Sequence, residues 1–237
     1  MQFESFWQQL DRRLAAFDLL CHPFYQAWAA GELTREDLRA YSVQYYPHVA
    51  AFPDYLATLA QRLPEGPTRA AILMNRDDEL GEGSPDGRSH AELWLDFAQG
   101  MGADRAKLPS AIPAVENLVA YFRSVAGNGE VGEALAAFYA YESQVPRVAR
   151  EKARGLKEIY GADEKACRYF VMHTTADVHH AQVWRALIEH ELASASDHGA
   201  ERTLETAEAA AQALWRALDG IEQSRMATAQ SESPSRN

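Results

Sequence analysis

Two histidines and one aspartate lie close together in the second half of the chain, at a spacing that suits metal binding. His173, Asp177 and His180 fall within a segment of helical periodicity, residues 163–193. Residues i, i+4 and i+7 of an α-helix share one face, because four residues turn about 400° and seven turn about 700°. Imidazole and carboxylate together bind iron, manganese or zinc. The spacing predicts a metal-binding face, since burying these groups without a cation would be costly.

Three further side chains are candidates to complete the site. Glu142 lies in an otherwise apolar helical stretch, where a carboxylate is rarely buried without a partner. Glu79 and His90 flank a glycine-rich loop, residues 81–87, which would bring two helix ends together. Three carboxylates largely offset two divalent ions, and ligands without thiolate favour iron or manganese. A bridging carboxylate would hold two ions close enough to bind and reduce dioxygen. The predicted ligand set is Glu79, His90, Glu142, His173, Asp177 and His180.

Two of these assignments have alternatives in the sequence. Glu82 stands between two glycines of the same loop, and we prefer Glu79 because it ends a helix. Glu142 alone would suit an ion pair with a neighbour such as Arg147. His179 points about 100° away from its neighbour His180 and is left out of the site. No Glu-x-x-His sequence occurs in the chain, so the ferritin-like di-iron pattern is excluded and a different helical scaffold is predicted.

Composition and charge restrict the function classes. The chain has 237 residues and a net charge of -11, which argues against nucleic acid or an anionic membrane surface as a partner. Cys21 and Cys167 lie far apart without metal-type spacing; one disulfide is allowed, but a reduced cytoplasmic chain fits better. The N-terminal segment lacks the pattern of a signal peptide, and no apolar run approaches the ~20 residues of a membrane span.

Helical periodicity extends over nearly the whole chain, and no segment shows the alternation of a strand. We therefore predict an all-α, single-domain bundle over residues 1–226 and a polar, disordered tail over residues 227–237. Pro47 and Pro53 are expected to bend or break a long helix, and Pro146 to kink another. The predicted helices span residues 3–17, 22–30, 34–62, 68–81, 89–100, 110–126, 130–160, 163–193 and 200–225.

Five stretches of the sequence carry a resemblance to a known family. They are HPFYQAW (22–28), ELTREDLRAYSVQYYPHVAAFP (32–53), DELGEG with HAELW (78–94), YAYESQVP (139–146) and HTTADVHHAQVW (173–184). On these stretches the chain resembles the haem-oxygenase-like di-metal oxidases, and within them the Chlamydia protein associating with death domains and its bacterial relatives. The resemblance covers most of the chain except the tail. Its most specific part is the metal-ligand set.

The resemblance implies a fold, an activity and roles for particular residues. The fold is a haem-oxygenase-like helical bundle of the TenA-like and pyrroloquinoline-quinone-synthase-like type, in which a homodimer is common. The implied centre holds two metal ions, iron with iron or iron with manganese. The implied activity is oxygen-dependent formation of p-aminobenzoate, a folate precursor, with dioxygen as co-substrate and an unidentified external reductant. One tyrosine of the protein supplies the carbon skeleton and one lysine supplies the nitrogen, so each chain reacts about once. By position, Tyr25 is the consumed tyrosine, Lys152 is the amine donor, and Tyr41 and Tyr141 line the site as candidate radical carriers.

The residue types agree with this chemistry, but spacing alone does not support the roles of Tyr25 and Lys152. A phenol already holds the ring and the one-carbon substituent of a para-substituted benzoate, and tyrosyl radicals can relay oxidation from a metal centre. On spacing alone, Tyr25 beside Phe24 is a core aromatic. Lys152 follows Glu142 on the same predicted helix, about 15 Å along the axis and about 80° round. A lysine side chain does not span that separation, so only the resemblance supports Lys152.

Other functions remain open from the sequence. A di-iron oxygenase acting on an external small molecule, such as an amino acid or a fatty acid, would use the same six ligands. A protein-interaction module is suggested by the name of the family, but binding a partner needs no six-ligand site. TenA-type thiaminases use a catalytic cysteine, which neither cysteine here matches. Pyrroloquinoline-quinone synthase works without metal and would not need three carboxylates with three histidines.

Overall fold

The described part of the protein is built from helices. A computed structural model describes residues 2–84 and 86–232, and side chains up to residue 230. The all-α prediction is confirmed: no strand occurs in these ranges, and a single 3-10 turn lies at Leu19–Cys21. The α-helices are α1 (Phe3–Ala15), α2 (Pro23–Ala30), α3 (Arg35–Gln61), α4 (Pro67–Glu79), α5 (His90–Gly100), α6 (Pro113–Asn128), α7 (Val131–Glu142), α8 (Val145–Glu158), α9 (Glu164–His173), α10 (Ala176–Leu192) and α11 (Asp197–Glu232).

Helix α7 lies in the interior of the bundle, packed against α10 and α11. A helix that is apolar nearly all round must be buried on nearly all sides. Many of the buried side chains of α7 and α11 are alanines, which let the two backbones approach closely. The last residue of α7, Glu142, is a buried carboxylate in this apolar environment. The buried residues of α7 are Ala134, Leu135, Ala136, Ala137, Phe138, Ala140, Tyr141 and Glu142.

Helix α3 supplies a long buried face against α4, α5 and α6. It begins after Thr34, as predicted. The Thr34 hydroxyl accepts a hydrogen bond from the Asp37 N–H at 3.1 Å, and the Asp37 carboxylate accepts one from the Thr34 N–H at 2.7 Å. This capping box satisfies donors that the first turn leaves free. Pro47 and Pro53 do not break the helix, contrary to one expected outcome, because packing on three neighbours outweighs the missing backbone hydrogen bonds.

The segment predicted as one helix over residues 130–160 forms two. Helix α7 ends at Glu142 and α8 begins at Val145. Pro146 has no N–H to donate to the Glu142 carbonyl, and its ring crowds that carbonyl, which favours the break between α7 and α8. Pro146 instead occupies the first turn of α8, where the missing N–H has no partner to lose. The predicted kink is therefore a break, and Glu142 lies at a helix end.

The segment predicted as one helix over residues 163–193 is also divided. Helices α9 and α10 are separated at Thr174 and Thr175. The hydroxyls of these threonines donate to backbone carbonyls three residues earlier, at 2.7 Å and 3.2 Å respectively. Local side-chain hydrogen bonds of this kind compete with continuation of a helix. The single face predicted to hold three metal ligands is therefore shared between two helices.

The last helix extends past residue 226, the predicted start of the disordered tail being residue 227. Helix α11 continues to Glu232, so residues 227–232 are helical rather than disordered. Alanine and glutamine in this segment favour helix, which the aperiodic polar pattern obscured. Residues 233–237 of the predicted tail lie outside the described residues.

Two expectations from composition concern cysteines and membranes. Both cysteines are free, Cys21 exposed and Cys167 buried. None of the helices in the described ranges is long and apolar enough to cross a membrane.

Candidate metal centre and adjoining tyrosine–lysine pocket

The six predicted metal ligands converge inside the bundle as two groups of three. In each group, one ligand atom from each residue lies within 4.8 Å of the others. Four of the six residues begin or end their helices, so the helix breaks and the loop after α4 determine the geometry. The first group is Glu79, His90 and His173, and the second is Glu142, Asp177 and His180. The shared face predicted for His173, Asp177 and His180 is therefore wrong, because the chain turns between α9 and α10.

The first group joins one carboxylate and two imidazoles. Nδ1 of His90 lies 2.9 Å from Oε1 of Glu79, and the His90 and His173 ring centroids are 4.5 Å apart. Nδ1 of His173 donates to the Tyr169 carbonyl at 2.7 Å, which leaves Nε2 free. Burial raises the pKa of Glu79 to about 7, against the opposing effect of His173, and lowers the pKa of His90 to about 4. A nearby cation would relieve the penalty on the buried carboxylate.

The second group joins two carboxylates and one imidazole. Nδ1 of His180 lies 3.4 Å from Oδ1 of Asp177 and 3.6 Å from Oε1 of Glu142. The Trp184 indole N–H donates to the other oxygen of Glu142. Burial alone would lower the pKa of His180, but the two carboxylates outweigh it and raise the pKa to about 11; burial raises the pKa of Asp177 to about 6. Without an ion, a proton on His180 supplies the positive charge that these carboxylates require.

Unpaired buried atoms indicate that both groups suit cations. Among the described residues, four ligand-type atoms are shielded from solvent and make no well-aligned hydrogen bond, although polar atoms of the other ligands lie close to them: His90 Nδ1, Glu142 Oε1, Asp177 Oδ1 and His180 Nδ1. Buried polar groups are otherwise almost always paired. Oxygen and nitrogen ligands without thiolate fit iron or manganese. The six residues could therefore hold two divalent cations, with three carboxylates to offset part of their charge.

The structure also decides between the alternatives that the sequence left open. Glu82 is exposed in the loop, whereas Glu79 is buried and faces His90. Arg147 pairs with Asp18 at 3.1 Å, so it is not the partner of Glu142. Glu79 is therefore the carboxylate that the loop brings into the first group.

A buried lysine lies beside two buried tyrosines. Lys152 Nζ donates to the Tyr25 hydroxyl at 2.8 Å and also contacts the Tyr41 hydroxyl. The two hydroxyls are 3.0 Å apart, and Nζ lies 4.2 Å from the centroid of the Tyr25 ring. Burial lowers the pKa of Lys152 well below its usual value and raises the pKa of both tyrosines. Burial therefore favours the uncharged forms of the amine and of the two phenols that contact it.

Lys152 is placed here by a feature that helix spacing did not predict. The spacing argument assumed one helix from Glu142 to Lys152, whereas α8 begins anew after the break. Helices α2 and α8 pack against one another, and this contact brings Tyr25 to Lys152. Of the four lysines in the chain, Lys152 is the buried one, and Lys107, Lys157 and Lys165 are exposed.

A small cavity lies beside this pair. Its lining includes Tyr25, Lys152, Tyr141 and Tyr169 and is otherwise largely apolar. Tyr141 directly precedes the candidate ligand Glu142, and the Tyr169 ring centroid lies 4.0 Å from that of the candidate ligand His173. The cavity volume is about 30 Å³. The two tyrosines therefore adjoin both the candidate metal centre and the cavity beside Tyr25 and Lys152.

A family profile matches most of the chain. The profile, described as that of iron-containing redox enzymes, covers residues 39–215. The chain belongs to this family. This chain is 40 % identical over 234 residues to the 4-aminobenzoate synthase of Nitrosomonas europaea, and the alignment covers 93 % of this chain and 92 % of that protein. It is 38 % identical over 222 residues to the 4-aminobenzoate synthase of Chlamydia trachomatis, with coverage of 92 % and 93 %. The pyrroloquinoline-quinone synthase of Granulibacter bethesdensis is 28 % identical over 153 residues, with coverage of 63 % and 59 %.

Solved structures share the fold of this redox enzyme. A TenA homologue from Pseudomonas syringae superposes with a TM-score of 0.78 at 20 % identity, covering 94 % of this chain and 96 % of that one. A protein from Nostoc punctiforme, described as similar to the Chlamydia protein associating with death domains, gives 0.74 at 16 % identity, with coverage of 95 % and 96 %. These identities support the fold alone. The predicted haem-oxygenase-like bundle and the family resemblance are both confirmed.

Three aromatic residues of the site were not predicted, although their spacing from the histidines is visible in the sequence. Each ligand histidine has an aromatic residue four positions away, on the same helix face. Tyr169 orients His173 through its carbonyl, and Trp94 lies 4.9 Å from the Tyr169 ring between centroids. Trp184 donates to the ligand Glu142. The three pairs are Tyr169 with His173, Trp94 with His90, and Trp184 with His180.

Proposed function

We propose that this redox enzyme forms 4-aminobenzoate from its own Tyr25, with Lys152 as the nitrogen donor and a two-metal centre as the site of dioxygen reduction. The observation that carries the proposal is the buried contact of Lys152 Nζ with the Tyr25 hydroxyl at 2.8 Å. The product bears nitrogen where tyrosine bears its phenolic oxygen, so the donor must reach that end of the ring. The two relatives described as 4-aminobenzoate synthases, which align over nearly the whole chain, add support.

The reaction requires three changes at Tyr25. The Cα–Cβ bond breaks with Cα keeping a hydrogen, and Cβ is oxidised to a carboxylate. The Lys152 amine replaces the phenolic oxygen, which leaves as water, and the Nζ–Cε bond then breaks by oxidation and hydrolysis that leave Cε as an aldehyde. Dioxygen is the oxidant: it is reduced to water by the electrons from these oxidations, and an external reductant supplies the remainder. Burial lowers the pKa of Lys152, so the amine keeps its lone pair for attack. The Tyr41 hydroxyl contacts both groups and holds the amine close to the ring.

Two metal ions, iron with iron or iron with manganese, would supply the oxidising power by activating dioxygen. Glu79, His90 and His173 would hold one ion, and Glu142, Asp177 and His180 the other. Tyr141 and Tyr169 adjoin these ligands and line the cavity, so they are placed to carry a radical towards Tyr25. Burial raises the pKa of both phenols, so each stays protonated and must release its proton when it is oxidised.

The size of the cavity favours an internal substrate over an external one. The cavity beside Tyr25 and Lys152 has a volume of about 30 Å³, against roughly 300–1,000 Å³ for ordinary small-molecule sites. Tyr25 is itself only 4 % exposed. Its ring therefore occupies the place that an external substrate would take.

Isotope labelling tests the origin of the product atoms. Protein made with ring-labelled tyrosine and with ε-nitrogen-labelled lysine is loaded with iron, or with iron and manganese, and exposed to dioxygen and a reductant. We expect 4-aminobenzoate that carries both labels, in an amount near one molecule per chain, and a loss of mass from the peptide that contains Tyr25. Unlabelled product, or sustained turnover on an added substrate, would refute the proposal.

Matched tyrosine variants test the assignment of Tyr25. We expect Tyr25→Phe to form no 4-aminobenzoate while it keeps its bound metal, because the ring lacks the oxygen that the amine replaces. Tyr46→Phe alters a half-buried tyrosine of α3 that does not line the cavity, and it should form product as the unaltered protein does. Product from Tyr25→Phe would end the assignment.

A further inference from the structure

We infer that Asp78 is a positioning residue for the second metal-ligand group: it fixes the His180 ring so that Nδ1 faces the cation. This inference rests on the two-metal centre of the proposed function. Asp78 precedes the ligand Glu79, and neither the ligand pattern nor the family resemblance assigns it a role. Its Oδ2 atom lies 3.2 Å from Nε2 of His180.

The two nitrogens of His180 face different surroundings. Nδ1 points to the interior, 3.4 Å from Asp177 and 3.6 Å from Glu142, the two carboxylates of its group. Nε2 points outwards to Asp78, whose side chain is 48 % exposed. Among the described residues, Asp78 is the one acceptor within hydrogen-bond distance of Nε2. A cation between the carboxylates can therefore be reached by Nδ1 alone.

Binding through Nδ1 dictates where the imidazole proton must be. A metal ion binds the nitrogen without a proton, so the neutral ring must carry its proton on Nε2. The Asp78 carboxylate accepts that hydrogen bond and so stabilises both the tautomer and the ring orientation. Carboxylate partners of this kind also raise the basicity of the ligating nitrogen, and their loss typically costs about 10–100-fold in metal affinity.

The two ligand groups differ in how a histidine is anchored. In the first group, Nδ1 of His173 donates to a backbone carbonyl, that of Tyr169. In the second group, the partner of His180 is a side chain at the edge of a surface cleft that Glu82 also lines. Substitution can remove the anchor of His180 but not that of His173. Substitution of Asp78 should therefore weaken metal binding at the second group and leave the first group unchanged.

Zinc binding tests the inference without relying on activity, because zinc is redox-inert and binds the same ligand types. The metal-free protein is titrated with Zn²⁺, and stoichiometry and affinities are measured by competition with a chelator. We expect about two equivalents for the unaltered protein. We expect Asp78→Ala to weaken one equivalent about 10–100-fold and to leave the other unchanged. Asp78→Glu, which can still offer a carboxylate, should restore part of the loss.

Glu82→Ala is the matched control, since it removes one negative charge from the same cleft and Glu82 is not within hydrogen-bond distance of His180. Its zinc affinities should equal those of the unaltered protein, as should the melting temperatures of both metal-free variants. Nitrogen NMR of the zinc-loaded, histidine-labelled protein should show His180 protonated on Nε2, and this signature should be lost in Asp78→Ala.

Each failure has a distinct meaning. Unchanged zinc affinities in Asp78→Ala, or an equal loss in Glu82→Ala, would overturn the role of Asp78 and leave the two-metal centre standing. An unaltered protein that binds no zinc at the six ligands would overturn the two-metal centre, and the inference with it.

Discussion

The Lys152 amine differs from an ordinary lysine because of where it lies. It is buried among aromatic rings, with Nζ 4.2 Å and 4.6 Å from the ring centroids of Tyr25 and Tyr41, and no carboxylate pairs with it among the described residues. Such surroundings favour the uncharged, nucleophilic form of the amine, because burial lowers the pKa of Lys152 well below its usual value.

Replacing this amine should abolish the product without unfolding the protein. Lys152→Met keeps the length of the side chain and removes the nitrogen, and the Tyr25 and Tyr41 hydroxyls can still bond each other. We expect no 4-aminobenzoate by mass spectrometry, with a change in the free energy of unfolding below about 2 kcal/mol. Lys157→Met, an exposed position on the same helix, should leave the yield unchanged. Product from Lys152→Met would show that the nitrogen has another source.

The metal ligands should make the stability of the metal-free protein fall as pH rises above neutrality. The pKa of Glu79 is raised from 4.5 to about 7 by burial, and that of His180 from 6.5 to about 11 by its carboxylate neighbours. A raised pKa means that the folded state binds the proton more tightly, so this stabilisation is lost as pH rises from the unfolded to the folded pKa. The lowered pKa of His90, about 4, acts in the opposite direction only up to about pH 6.5, whereas the lowered pKa of the buried Lys152 acts in the opposite direction through the whole neutral range.

Lys152 contributes to both the metal-free and the metal-loaded protein, so the contribution of the ligands is seen in the difference between the two forms. Between about pH 6.5 and pH 8.5, we expect the melting temperature of the metal-free protein to fall by a few degrees relative to that of the metal-loaded protein, because the cations replace the protons. Calorimetry of both forms across this range measures the difference. A difference that stays constant through the range would contradict the raised pKa values of these ligands.

At the scale of elements, the loop between α4 and α5 decides whether the first metal-ligand group forms. Gly81 has φ +79°, and a Cβ there would lie 2.4 Å from the Arg88 backbone. Glu79 and His90 therefore come together only because residue 81 has no side chain.

Gly81→Ala should separate these ligands. The clash and the positive φ together should destabilise the fold by about 1–3 kcal/mol and reduce the metal bound per chain. Gly83→Ala separates the two causes, since Gly83 has φ +86° and open space around its Cβ position. We expect that variant to lose some stability and to keep its metal. Equal metal content in both variants, measured by elemental analysis, would show that the loop tolerates the clash.

Local patterns predicted the elements better than their interruptions. Thr34 marked the start of α3 because capping depends on residues within one turn. The break before Pro146 was visible as a proline, but whether a proline bends, breaks or merely sits in a helix depends on packing, as continuous α3 shows. The break at Thr174 and Thr175 depends on hydroxyl rotamers that the sequence does not specify. Consequently residue type predicted the six candidate ligands that the structure brings together, but it did not predict their division into two groups.

At the scale of the whole molecule, the approach of α2 to α8 creates the tyrosine–lysine pocket. Gly155 of α8 lies against Trp28 of α2, and a Cβ at that position would be 2.7 Å from the indole nitrogen. Helix α2 carries both Trp28 and Tyr25, so this close contact also determines the distance from Tyr25 to Lys152. A packing contact between distant segments cannot be read from spacing, which is why the sequence alone did not support Lys152.

Widening this contact should reduce the yield while leaving the metal centre intact. Gly155→Ala should force α2 and α8 apart, cost about 1–3 kcal/mol of stability, and lower the fraction of chains that form product. Bound metal should be unchanged. Gly127→Ala is the control, because its Cβ would meet only Thr58, at an ordinary 3.8 Å. A full yield from Gly155→Ala would mean that the pocket adjusts to the extra methyl group.

Under the proposed function, the burial of Tyr25 would also determine what happens to a chain after its reaction. Excision of the ring would leave a void beside Phe24 and Tyr41, and removal of a large aromatic side chain from a core typically costs about 3–5 kcal/mol. That loss is a large part of the stability of an ordinary domain, so reacted chains should unfold and be degraded sooner than fresh ones. The amount of product would then depend on the rate of protein synthesis, because each chain would be destabilised by its own reaction.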